Sequence, residues 1–199
     1  MKKLLGILLL IFVANLLINS CTTTTSPPDN PENICHIFVQ YPKWYRDTAQ
    51  TQQKWGVPIS VQMAIMYYES SFRANARPSR EKILFVIPWK HPTSAYGYSQ
   101  ALNSTWDDYQ KAAKRKVSRK NFADASDFIG WYANQAKKSA GISPSDAYHL
   151  YLAYHEGISN YKKKSYAKKD WLIDRAKQVK SLAAIYQQQL SKCEARLRK

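Results

Sequence analysis

Between Gly56 and Phe72 the chain carries a stretch that fits only the inside of a folded protein. Wound as a helix, Ile59-Ser60-Val61-Gln62-Met63-Ala64-Ile65-Met66-Tyr67-Tyr68 puts Ile59, Met63, Met66 and Tyr67 on one side. Val61, Ala64, Ile65 and Tyr68 cover much of the rest. A helix apolar nearly all round is a buried one. Gly56 and Pro58 mark its start, since proline suits a first turn. At the far end stands Glu69, the only ionisable carboxyl within Ile59–Phe72. Burial disfavours its charged form, and so does the carbonyl end of the helix; both raise the pKa. A carboxyl that stays protonated near neutral pH can serve as a general acid. Spacing alone allows a solvated glutamate at a helix end equally well.

The chain around that segment has 199 residues, enough for one well-packed domain. Lys2-Lys3 precede an almost wholly apolar run, Leu4–Leu17, followed by Ile18-Asn19-Ser20-Cys21. Residues 1–20 read as a secretory signal, and the apolar run is short for a membrane span. A cysteine directly after a small residue resembles a bacterial lipobox, which implies cleavage before Cys21 and a lipid anchor there. Thr22, rather than Asp, follows, and the sorting pattern then favours the periplasmic face of the outer membrane. The alternative is an ordinary signal peptide. Residues 21–32, rich in Thr, Ser, Pro, Asp and Asn, read as a flexible tether, with the folded domain over 33–199. In an oxidising compartment Cys35 and Cys193 could form a disulfide joining the start of the domain to its last helix, or remain two free thiols.

Helical patterning recurs along the domain. It predicts helices over Trp44–Trp55, Thr105–Lys114 and Asp124–Ala140, with Ser104 capping the second and Gly141 stopping the third. Ser143-Pro144-Ser145-Asp146 opens a further helix that Gly157 ends, and Trp171–Cys193 repeats apolar residues at helical spacing. Arg73–Tyr96 reads as a long loop with a short strand at Ile83–Ile87, and Tyr161–Lys169 as a basic loop. The fold class is therefore mainly α, with at most a small β-hairpin.

Lysine and arginine number 30 against 14 acidic residues, a net charge of +16. That excess suits an anionic partner without choosing among nucleic acid, a lipid surface and an acidic polymer. The basic loops lack a groove-reading motif and the export signal argues against a cytoplasmic role, so no nucleic-acid partner is expected. His36, His91, His149 and His155 show no metal-type spacing, and no Gly-rich phosphate loop appears, so neither metal nor cofactor is expected.

Three blocks stand in order: Glu69-Ser70-Ser71-Phe72, Gly97-Tyr98-Ser99-Gln100 and Ala153-Tyr154-His155-Glu156-Gly157. With them the chain resembles the SLT-type lytic transglycosylases, many of them lipoproteins, over roughly Trp55 to Tyr161. The resemblance implies a goose-lysozyme-like helical domain. It implies cleavage of the β-1,4 bond between N-acetylmuramic acid and N-acetylglucosamine in peptidoglycan glycan strands. Glu69 would be the catalytic acid, then the base on the muramoyl C6 hydroxyl, leaving a 1,6-anhydro end. Ser70 would orient substrate or Glu69, Gln100 would bind the sugar, and Tyr154 would stabilise the oxocarbenium charge. Tyr98 would stack on a sugar ring or sit in the core, and a monomer is expected. His155 and Glu156 replace the family's asparagine and alanine, so His155 is a candidate substrate contact and Glu156 a candidate second carboxylate for lysozyme-type hydrolysis. A peptidoglycan-binding lipoprotein without turnover is the other rival reading.

Overall fold

The computed structural model describes residues 26–80, 82–83, 87–88 and 91–198; the expected signal and Cys21 lie outside them. In chain order the elements are α1 (Ile34–Gln40), α2 (Pro42–Trp55), α3 (Ile59–Ser70), β1 (Lys82–Ile83), β2 (Ile87–Pro88), α4 (Asn103–Ala113), α5 (Phe122–Ala140), α6 (Ala147–Glu156), α7 (Ile158–Lys162), a 3-10 turn at Ser165–Lys168 and α8 (Asp170–Leu197). The mainly α expectation holds.

The apolar segment becomes α3, and every residue from Ile59 to Met66 is buried. α3 packs mainly against α8, which offers Leu172, Ala176, Val179, Leu182, Ala183, Tyr186 and Leu190 at the spacing that predicted a helix. The polar residues from Ile59 to Met66 are satisfied, as buried polar groups generally are. Gln62 Nε2 donates to the carbonyls of Thr48 and Val57, and Ser126 Oγ donates to Gln62 Oε1 at 2.7 Å. α2 and α5 come together over Gly130, where a Cβ would lie 2.3 Å from Trp55 Cδ1. Only glycine allows that approach. The Cys35–Cys193 disulfide fastens α1 to the end of α8.

Several local features differ from the sequence reading. α4 begins before Ser104, and no side chain of its own caps it. The cap comes from a distant loop: Asn103 N donates to Ser94 Oγ at 3.0 Å, while Arg119 donates to Ala101 O and Asn103 Oδ1. Such partners are invisible to a local motif. The expected strand at Ile83–Ile87 is instead a two-residue antiparallel hairpin, Lys82 opposite Pro88 and Ile83 opposite Ile87. The basic loop at Tyr161–Lys169 contains the end of α7 and the 3-10 turn. Residues 26–32, which composition assigned to the tether, run along the domain. Their carbonyls accept from α8, Pro31 O from Tyr186 and Glu32 O from Gln189 Nε2, and Asp29 N donates to Gln40 Oε1.

Candidate active site

α3 runs out at Ser70, and the next two residues, Ser71 and Phe72, both take positive φ, 49° and 58°. Left-handed backbone costs a non-glycine residue roughly 1–2 kcal/mol. Burial of the Phe72 ring against Trp44 and Tyr67 offsets it. The reversal takes the chain away directly after Glu69, so the carboxyl meets a cleft instead of a continuing helix.

That cleft has a volume of about 410 Å³, and its lining includes Glu69, Gln100, Tyr132, Tyr154, His155 and Glu156. Glu69 as a residue keeps partial exposure, but its Oε1 is enclosed and has no hydrogen-bond partner among the described residues. Loss of water raises its pKa from 4.5 to about 7; a hydrogen bond with Tyr151 and the charge of Arg175 pull the other way with less effect. A carboxyl on the wall of a cleft, with one oxygen enclosed and unpartnered and a pKa near neutrality, is equipped to give and take a proton.

The second block reaches the cleft through Gln100, which also has positive φ, 49°. Its Nε2 donates to Ala76 O at 2.9 Å and Gly97 O at 2.8 Å, so the amide oxygen is the atom it can turn to a ligand. Gly97 N donates to the same Ala76 carbonyl. Gly97 has φ +76°, and a Cβ there would lie 2.1 Å from Arg119 O, so the residue type is dictated by backbone contact. From the third block, Tyr154 donates its hydroxyl proton to Ser99 O at 2.6 Å. Burial, then the nearby Glu69 charge, pushes its pKa well above 10. The phenol stays neutral and presents oxygen lone pairs beside Glu69. Tyr132 stands behind it, ring centroids 5.0 Å apart, with its hydroxyl donated to Ala153 O.

Two candidate substrate contacts do not reach the cleft. Ser70 is buried and its Oγ donates to Met66 O, one turn back in α3. At helix position i the hydroxyl gives its proton to the i−4 carbonyl, and burial keeps its lone pairs from the cleft. Tyr98 is 1% exposed and packs edge-on against Trp44 and Phe122, so the core alternative holds and the sugar-stacking one does not.

His155 lines the cleft, with its ring 5.0 Å from that of Trp171, which is 57% exposed at the start of α8. Burial lowers the His155 pKa. Glu156 is the other carboxyl lining the cleft among the described residues, and its side chain is 3% exposed. One oxygen accepts from Lys169 Nζ at 2.7 Å and the other from Ser165 Oγ. Desolvation raises its pKa, but those donors outweigh it and hold the group below the ordinary value. Glu69 and Glu156 are thus driven in opposite directions.

Sequence reasoning missed Tyr151 and Arg175, the groups that oppose the desolvation of Glu69. Tyr151 had a signal: it stands three residues before Tyr154 on the same helical face. Arg175 had none, because α8 meets α3 only in the tertiary fold.

A family model described as the transglycosylase SLT domain matches residues 8–193. No curated protein and no solved structure matches the chain.

Proposed function

The chain belongs to the transglycosylase SLT domain family, which implies a lytic transglycosylase acting on peptidoglycan glycan strands, and from this premise we propose that Glu69 is its sole acid–base group. Protonated Glu69 gives its proton to the glycosidic oxygen as the bond from that oxygen to the muramoyl anomeric carbon breaks. The carboxylate then takes the proton of the muramoyl C6 hydroxyl, whose oxygen bonds to the anomeric carbon and closes the 1,6-anhydro ring. Protons balance, and no water enters. Tyr154, with its own proton committed to Ser99, turns lone pairs toward the developing positive charge. Gln100 offers its amide oxygen to sugar donors.

The observation that carries this reading is the enclosed, unpartnered Oε1 of Glu69 with a pKa near 7. Hydrolysis by two carboxylates would need Glu156 as base or nucleophile. Its oxygens already accept from Lys169 and Ser165, which makes it a poor base. A lipid anchor at Cys21 on the periplasmic face of the outer membrane belongs to the same proposal, as does action as a monomer. The test is a digest of purified sacculi with mass spectrometry of the products. The proposal expects 1,6-anhydro-muropeptides from the wild type and none from Glu69→Gln, which should still bind sacculi. Reducing-end products would mean hydrolysis, and sacculi bound but never cut would mean a binding protein.

A further inference from the structure

Beside the catalytic cleft is a second, smaller concavity of about 270 Å³. The two share a wall at Thr93 and Ala95. Tyr96, Arg77 and Arg119 are among its lining residues; Lys120 is not, but it joins the two arginines around the Tyr96 ring. Arg77 Cζ lies 4.4 Å from the centroid, Arg119 Cζ 5.4 Å and Lys120 Nζ 5.8 Å. Among the described residues none of the three is in an ion pair. Like charges brought together repel: burial lowers the pKa of Arg119 and Arg77 adds to it, while the charge of Asp107 opposes both. An aromatic face offsets part of that repulsion. An anion would offset more.

The arrangement is held in place. Tyr96 pairs with Ala101 in an isolated bridge. Arg119 donates to Ser94 O, Ala101 O and Asn103 Oδ1, which fixes its guanidinium and leaves Nε–H and one further proton. Arg77 directly follows Ala76, whose carbonyl anchors both Gln100 Nε2 and Gly97 N. The anchor of the cleft's amide and the foremost cation of the second pocket are thus neighbours in the chain. A guanidinium stacked on a ring keeps its N–H edge free, the edge that grips a carboxylate through two parallel bonds.

We propose that Arg77, Arg119 and Lys120 around Tyr96 form a subsite for a carboxylate of the substrate's peptide stem, next to the sugar cleft. This rests on the peptidoglycan reading above. The glycan backbone gives such a pocket little charge to hold, whereas the stems attached to it carry free carboxylates. A concave pocket that shares a wall with the cleft suits a side branch of the bound strand better than a flat lipid surface.

Binding is measured with Glu69→Gln protein, so that turnover plays no part. The ligands are peptide-bearing glycan strands with free carboxylates, the same strands amidated, and phosphatidylglycerol vesicles. The parent should bind free-carboxylate strands at least about tenfold tighter than amidated ones, in line with a charge-assisted pair. Adding Arg77→Gln and Lys120→Gln should bring that preference to within about twofold, with binding of the amidated strands unchanged. A control with the same charge loss elsewhere, Lys137→Gln and Lys138→Gln, should keep the preference. No preference in the parent, an equal loss in the control, or loss confined to vesicle binding would each overturn the subsite. Cleavage by the wild type is scored separately. A preference without cleavage sinks the enzymatic reading and leaves the subsite, and cleavage without a preference does the reverse.

Discussion

Glu69→Gln should stabilise the folded protein at alkaline pH while destroying its activity. The sign follows from linkage. The native carboxyl titrates at about 7 and the unfolded one at 4.5. Between those values the folded state holds a proton that the unfolded state has lost, so stability falls as pH rises through the window. At about 1.36 kcal/mol per pH unit the full cost above pH 7 approaches ~3 kcal/mol. That is an upper value, because water reaching the partly exposed side chain screens some of it. Glutamine is nearly isosteric with the protonated acid and does not titrate, so the variant escapes the cost. At pH 5 the two proteins should differ by a constant offset; by pH 8–9 the variant should have gained roughly 2–3 kcal/mol relative to that offset. In a chain of this size that corresponds to a rise of roughly 4–10 °C in Tm. The assay is paired thermal unfolding of wild type and variant from pH 5 to 9. The same group predicts that wild-type turnover falls as pH rises above 7, as the acid form disappears. Parallel Tm profiles for the two proteins would refute the argument, since they would mean the carboxyl titrates alike in both states.

Three further outcomes follow from the geometry. Tyr154→Phe removes the donor to Ser99 O and the lone pairs beside Glu69, so kcat should fall on the order of a hundredfold with little change in KM, read by steady-state release from sacculi. Glu156→Gln breaks the pair with Lys169 and should leave anhydro ends as the product; a switch in product chemistry in the mass spectrum would assign Glu156 to the reaction. Reducing the Cys35–Cys193 bond opens a loop with a sequence separation of 158, for which chain entropy sets a ceiling of about 5 kcal/mol, so denaturant midpoints with and without reductant should differ clearly.

What the sequence made legible was what local patterning controls. The all-round apolar run from Ile59 to Met66 had one physical solution, a central helix, whereas spacing alone left the carboxyl at its end equally open to a solvated reading and the motif blocks tipped the balance. The stripe on α8 was equally plain. Motif membership, however, does not say where a side chain points. Ser70 and Tyr98 stand inside recognisable blocks, yet one satisfies its own helix and the other fills the space between Trp44 and Phe122. The cap of α4 by Ser94 and the approach of Arg175 to Glu69 were illegible for a different reason: each joins segments that only the finished fold brings together.

The three blocks owe their order to two backbone carbonyls. Ala76 O, just past the Glu69 helix, accepts from Gln100 and Gly97 and so ties the first block to the second. Ser99 O, within the second, accepts from Tyr154 and ties it to the third. Gln100 and Tyr154 therefore spend their donors on assembly, and what each has left to offer the cleft is a lone pair. Lone pairs suit sugar hydroxyls and a developing cation, but they cannot protonate a leaving oxygen. Glu156, the remaining carboxyl of the cleft among the described residues, is held anionic by Lys169 and Ser165. The proposed mechanism therefore assigns protonation to Glu69, whose Oε1 has no competing partner among the described residues and whose pKa near 7 keeps both of its forms within reach. Partnering that oxygen would lower the pKa toward the ordinary carboxylate range and leave the group as base without leaving it as acid. In the proposed mechanism the missing hydrogen bond is what would let one residue serve both halves of the reaction.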